Sequence, residues 1–231
     1  MDSFYAKYIK RILDVFCALA AMLVFCWLYA VIALLVRVKL GKPVIYKTER
    51  IGRDEKPFTL YKFRSMTDER DGSGELLPDD KRLTSFGRLL RASSLDELPE
   101  AWCILKGDMS VVGPRPLPGI YLPYYSPQEH HRHDVRPGLT GMAQVNGRND
   151  LSWREKFQND LQYIDQIGFK TDLLIVIKTV AKVLRREGIG QGSEIPVSLH
   201  IERADRVPTA SGVQTSRSAA WNGDVFDDYN R

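Results

Sequence analysis

Two adjacent carboxylates, Asp96 and Glu97, stand in the segment SLDELPE a few residues after Arg91. Ser94 and Glu97 have capping-box spacing, which predicts a helix that starts there and runs through Leu98, Trp102, Ile104 and Leu105 to Gly107. Acidic residues in a first turn complement the helix dipole, so the pair could be simple caps. The same dipole, with Arg91 beside it, would keep Asp96 ionised, as a nucleophile or a metal ligand requires. Pro99 stiffens the element that carries the pair. Further on, prolines flank Arg115 in Gly113-Pro114-Arg115-Pro116, so the backbone presents this guanidinium at a fixed place. It is either a surface residue of a rigid loop or a pre-positioned phosphate ligand.

Other segments carry weaker chemistry. Lys62-Phe63-Arg64 closes a β-rich stretch, and alternation puts Lys62 and Arg64 on one face with Phe63 in the core. Arg136-Pro137-Gly138 and Gln144-x-Asn146-Gly147-Arg148 are polar, turn-rich and suited to phosphate, yet neither is a P-loop or a dinucleotide fingerprint. His130-His131-Arg132-His133-Asp134 looks like a metal cluster but lacks partner ligands at known spacing. The three cysteines form no CxxC and no disulfide framework.

The elements that must position these residues are legible in outline. Residues 44–51 and 58–63 read as a hairpin around a turn at 52–57, and 68–80 as a loop. Residues 82–91 place Leu83, Phe86, Leu89 and Leu90 at helical spacing. A helix over 152–167 opens with Ser152-x-x-Glu155 and buries Trp153, Phe157, Leu161 and Ile164. A last helix over 171–186 is capped by Thr171 or Asp172, apolar almost all round, and basic at its end.

Bulk averages conceal the ends of the chain. Over 231 residues the net charge is +4 and the mean hydropathy −0.26, values of an ordinary soluble protein. Residues 15–36, however, read VFCALAAMLVFCWLYAVIALLV, 22 residues without a charge. One helix of that length spans roughly 33 Å, the thickness of a bilayer's hydrocarbon core. Basic residues flank both sides: Lys7, Lys10 and Arg11 before it, Arg37, Lys39, Lys42, Lys47, Arg50 and Arg53 after it. The positive-inside tendency favours a re-entrant helix with both termini cytoplasmic, whereas Pro, Gly and Ser, the usual residues of such a turn, are missing from the segment. From Glu187 the chain is Gly- and Ser-rich, with a net charge of −3, and is expected to be mobile. The remainder carries +7, which suits anionic headgroups or phosphorylated substrates and gives no reason to invoke nucleic acid.

KRILD, KFRSM, SLDELPE, LKGDMSVVGPRPL, HDVRPGLTG and AQVNGRN follow one another behind a single hydrophobic segment. This order resembles the monotopic polyprenyl-phosphate phosphoglycosyl transferases, the bacterial sugar transferase family, over roughly residues 7–187. The resemblance implies transfer of a sugar 1-phosphate from a UDP-sugar to undecaprenyl phosphate, with release of UMP, at the cytoplasmic face of the bacterial inner membrane. Asp96 would be the nucleophile that forms a phosphosugar intermediate, and Glu97 its assistant. Both would be ligands of Mg²⁺. Lys62, Arg91, Arg115, Arg136 and Arg148 would bind phosphate, with Asp160 a possible addition or a plain helix-surface charge. The fold class is α-rich α+β: a membrane-embedded helix (1–40), a cytosolic catalytic domain of amphipathic helices with a small β-hairpin (41–186), and a mobile tail (187–231). Cys26-Trp27 stands where the family usually has Ser-Pro, and Glu100 and Cys103 where Gln and Asn are common. A membrane-bound nucleotide-sugar binding relative without turnover, and a metal-dependent pyrophosphohydrolase, are the competing readings.

Overall fold

The computed structural model describes residues 4–147, 150–185 and 198–204. The uncharged segment is not one helix. After a π-helical turn at Tyr5–Ile9, α1 (Lys10–Val24) and α2 (Cys26–Lys39) meet at Phe25 with a 65° bend. No single helix among the described residues is long and apolar enough to cross a membrane. The break contains no Pro, Gly or Ser, so its cause is tertiary rather than local. Each limb is anchored separately. On α1, buried Asp14 accepts from Ser110 Oγ (3.0 Å) and the Val111 amide (2.9 Å), and Lys10 pairs with Asp172 at 2.7 Å. On α2, Tyr29 donates to the Leu98 carbonyl, and Ile32, Val36 and Leu40 pack with Phe63 and Leu90.

β1 (Ile45–Ile51) and β2 (Pro57–Phe63) form the expected antiparallel hairpin, with Thr48 opposite Leu60 and Tyr46 opposite Lys62. Its tip is a 3-10 turn, Arg53–Glu55. The helix expected over 82–91 is instead two: α3 (Asp79–Arg82) and α4 (Ser85–Ala92), with Thr84 accepting from the Gly87 amide to cap the second. The capping box expected at Ser94 is not formed. Ser94 lies in the left-handed region (φ 54°), a 3-10 turn at Leu95–Glu97 follows, and α5 (Glu100–Lys106) begins only after Pro99. Gly107 ends that helix in left-handed conformation (φ 97°), as the sequence predicts.

A two-stranded parallel sheet of β3 (Ser110–Val112) and β4 (Gly138–Thr140) had no legible strand pattern. It crosses glycine on glycine: a Cβ on Gly138 would sit 2.1 Å from the Gly113 amide nitrogen. This contact fixes the start of the Pro-Arg-Pro loop. Short helices α6 (Pro127–His130) and α7 (Met142–Asn146) lead to α8 (Trp153–Asp165), which carries the predicted Ser152–Glu155 capping box. α9 starts at Phe169 and runs to Arg185, so neither Thr171 nor Asp172 caps it. Asp172 is buried instead and accepts from Tyr5, Lys10 and Tyr163. Within the segment expected to be mobile, residues 198–204 hold a further short helix, α10 (Leu199–Glu202), docked on the domain.

The histidine cluster is structural. His130 Nδ1 contacts a Glu55 carboxylate oxygen, His131 Nδ1 lies 3.0 Å from Asp134, and His133 Nδ1 lies 3.0 Å from the Gly52 carbonyl. Burial, aided by Arg132, pushes His133 down to about 4. A histidine held neutral in the fold takes up its proton at about 6.5 once unfolded, so unfolding gains protons between those values. Stability should therefore be full above about pH 6.5 and fall towards pH 4, by on the order of 2–3 kcal/mol from this residue. Denaturant midpoints at pH 7 and pH 5 should differ less in His133→Gln than in the parent chain. An equal difference would assign the acid sensitivity elsewhere.

Candidate active site

The inward face of the hairpin carries Arg50, Leu60 and Lys62, all buried. The turn after α4 brings Asp96 and Glu97 against it, α5 adds Glu100, and the loop after β3 adds Arg115. Arg50, Leu60, Lys62, Glu100, Arg115, Pro116 and Pro118 line one cleft.

Lys62 is 2% exposed, which excludes a solvated strand face. A buried ammonium needs paired counter-charges. Its Nζ lies 3.2 Å from Glu97 Oε1 and 3.4 Å from Glu100 Oε1. Arg115 Nη2 reaches the same Glu97 oxygen at 3.4 Å. Glu97 is thus held between two cations, at separations longer than the roughly 2.7–2.9 Å of a tight charge-assisted bond. Asp96, 1% exposed, adjoins this group in the same turn. Such a cluster offers carboxylates for nucleophilic or proton-transfer work and fixed cations to offset phosphate charge.

Arg115 is propped from behind. Its carbonyl accepts from Arg132 Nη2 at 2.7 Å. The same guanidinium donates to Asp160 Oδ2 through Nε (3.1 Å) and Nη2 (2.8 Å), and through Nη1 to Tyr125 Oη at 3.3 Å. Asp160 is therefore no helix-surface charge: it is buried, and its link to the site runs through Arg132. Burial raises its pKa, and Arg132 opposes that rise.

The remaining expected ligands are placed as follows. Arg91 Nε donates to Ser65 Oγ at 2.9 Å. Arg136 sits at the far end of α5, where its Nε donates to the Gly107 carbonyl (2.8 Å). There it joins Arg11, whose guanidinium takes the Ile104 and Leu105 carbonyls. Arg11 thus satisfies two of the orphan carbonyls of α5, and Arg136 that of its C-cap. Arg148 lies outside the described residues. Arg64, past the end of β2, is buried on the Lys42 and Met66 carbonyls and pairs with Asp68.

Two cleft residues escaped the reading of the residues for chemistry. Glu100 stands three positions after Glu97, a spacing that puts both on one helical side. Arg50 shares its strand face with Thr48, to which its Nη1 donates at 2.8 Å. Alternation across the hairpin could have found it.

Among the described residues, no three His, Cys, Asp or Glu side chains converge to hold a metal unaided. Mg²⁺ does not require such a cage: it takes one or two carboxylates, keeps waters, and completes its octahedron with substrate phosphates. Asp96 and Glu97 supply hard oxygen donors of that kind, so the residues fit the ion.

A family model described as bacterial sugar transferase matches residues 5–186. An uncharacterized sugar transferase of Bacillus subtilis, EpsL, is 50% identical over 190 residues, covering 81% of this chain and 93% of that protein. A UDP-glucose:undecaprenyl-phosphate glucose-1-phosphate transferase of Caulobacter vibrioides is 37% identical over 185 residues, covering 76% of this chain and 69% of that protein. The undecaprenyl-phosphate galactose phosphotransferase of Salmonella typhimurium is 36% identical over 206 residues, 79% of this chain but only 42% of the relative. With the family model spanning most of the chain and these relatives aligned along it, the protein belongs to the bacterial sugar transferase family.

Proposed function

We propose that this chain transfers a sugar 1-phosphate from a UDP-sugar to undecaprenyl phosphate and releases UMP, as the first membrane step of glycan assembly. The observation that carries the reading is Glu97 held between Lys62 and Arg115, with Asp96 buried in the same turn. The names of the Caulobacter and Salmonella relatives support the substrate classes.

Phosphoryl transfer is catalysed mainly by positioning and by charge placed where charge develops. Arg115, fixed by its prolines and by Arg132, and Lys62, fixed by the hairpin, bind and orient the diphosphate. The Asp96 carboxylate attacks the β-phosphorus; the bond to the bridging oxygen breaks, and UMP leaves with that oxygen. An undecaprenyl phosphate oxygen then attacks the phosphorus of the aspartyl phosphosugar and returns Asp96 as carboxylate. Glu97 accepts any proton the lipid phosphate brings. Mg²⁺ held by Asp96, Glu97 and the substrate phosphates would supply charge neutralisation. Because the covalent step divides the reaction, the water-soluble and lipid substrates need not be bound together.

The lipid substrate requires a membrane seat, and the molecule carries a surface for one. Along the bent pair Phe16, Leu19, Leu23, Trp27, Leu34 and Val38 are exposed, and α9 exposes Leu173, Leu174, Ile177 and Val180. We read α1–α2 as a re-entrant wedge on the cytoplasmic face of the bacterial inner membrane. Lys7, just before one limb, and Arg37 and Lys39 at the end of the other then stay at the same headgroup layer.

The test is a UDP-sugar panel with purified chain in lipid particles, Mg²⁺ and undecaprenyl phosphate. Sustained UMP release that depends on the lipid is expected for at least one sugar. UMP released at the same rate without lipid, with free sugar phosphate as product, would identify a hydrolase. Binding without release across the panel would identify a carrier.

A further inference from the structure

The family match ends at residue 186, yet residues 198–204 are built into the domain behind the Pro-Arg-Pro loop. Leu199 is fully buried in one apolar cluster with Leu117, Tyr121, Tyr125, Trp153 and Phe157. Leu117 directly follows Pro116, and Pro116 and Pro118 on its two sides line the cleft. Its carbonyl also accepts from the Ile51 amide at 3.0 Å, which ties the loop to the strand that carries Arg50. Leu199 therefore fills the back of the wall whose front is the candidate site.

Polar contacts fix the register of this packing. Arg203 is buried and donates to both Glu129 carboxylate oxygens, Nη1 to Oε2 at 2.6 Å and Nη2 to Oε1 at 2.8 Å, and to the Tyr124 carbonyl at 2.9 Å. A paired guanidinium in this fork geometry is among the more directional contacts a protein can make. Its carbon lies 5.2 Å from the Phe157 ring centroid. The His200 ring stacks on Tyr121 at 5.9 Å.

One residue links the segment to the cations of the site. Lys156, buried on α8 with its Nζ 5.0 Å from the Trp153 centroid, lies within electrostatic reach of Arg115 on one side and Glu202 on the other. Burial foremost, and then Arg115, push its amine down to about 8, and Glu202 works against both. The docked segment thus shares an apolar cluster with Leu117 of the site's loop, and its Glu202 lies in the electrostatic surroundings of Lys156.

We propose that residues 198–204 are a positioning strap for the donor site, in which Leu199 and Arg203 hold the loop over residues 113–125 in the geometry that binds the donor's phosphates. The strap is a feature of this chain beyond the span of its family match, and its role rests on the reading of the cleft as a nucleotide-sugar site. Neither residue touches substrate; both act through Arg115 and its loop. The strap makes affinity for the donor depend on a contact between the C-terminal segment and Glu129, far along the chain from the dyad.

The test uses the full chain in lipid particles with UDP as probe. Arg203→Glu faces Glu129 with a like charge, and the double variant Arg203→Glu/Glu129→Arg restores an opposite pair. Arg203→Glu should raise backbone hydrogen exchange over residues 113–125 and weaken UDP binding about fivefold to tenfold. The double variant should recover most of both. If Arg203→Glu does not fold, Arg203→Met removes the pair without adding a charge and is read in the same way. Unchanged exchange, unchanged UDP affinity, or a double variant no better than the single one would each overturn the strap. The exchange measurement does not depend on catalysis, so a chain that failed the UDP-sugar panel would still report whether the strap holds the loop.

Discussion

Asp96→Asn should leave the fold intact and abolish transfer, with turnover down by about 10⁴-fold or more, as for other removed nucleophiles. The amide has the size of the carboxylate, so the buried turn keeps its packing while the attacking oxygen loses its charge. Intact-protein mass measurement after incubation with UDP-sugar alone should show an added sugar phosphate on the parent chain and none on the variant. This substitution also separates the two readings of the dyad. Asn and Asp cap helices about equally well, so a residue that merely caps would tolerate the change with little loss. An Asp96→Asn chain that still turned over would remove Asp96 as nucleophile. Glu97→Gln should cost less, about 10²-fold, because its partners Lys62 and Arg115 remain.

The second large effect concerns a residue that does not reach the cleft. Arg132→Met leaves the Asp160 carboxylate buried without its guanidinium, a loss of about 3–5 kcal/mol for a broken buried pair. It also removes the donor to the Arg115 carbonyl. Adding Asp160→Leu removes the stranded charge, and stability, measured by denaturant unfolding, should largely return. Turnover should not return with it, because Arg115 remains without its prop. Recovery of both together would reduce Arg132 to a packing role.

Much of the architecture was readable where one local rule acts alone. Alternation and turn residues gave the hairpin, and Ser152 with Glu155 gave the start of α8. The misreadings fall where tertiary contacts override local spacing. Ser94 has capping-box chemistry, yet its left-handed backbone and Pro99 delay the helix to Glu100. Asp172 looked like a cap because it precedes an apolar run; two of its three partners, Tyr5 and Lys10, lie more than 160 residues away. The bend at Phe25 has no sequence marker because two separate docking surfaces impose it. In the site, Asp96, Glu97 and Arg115 were legible from their types and neighbours. Arg50, Glu100 and Arg132 were not assigned to it, since a buried charge shows its purpose only through what it faces.

The tether between Lys10 and Asp172 also has a consequence in time. The two residues are 162 positions apart. At roughly 5–20 residues per second, synthesis separates them by about 8–30 s. Until that interval closes the apolar limbs lack part of the domain that bends them, and for the first part of it Arg11 lacks the α5 carbonyls to which it will donate. Apolar surface left uncovered for that long is prone to aggregate, so the bent pair is the part of the chain most exposed to misassociation during synthesis.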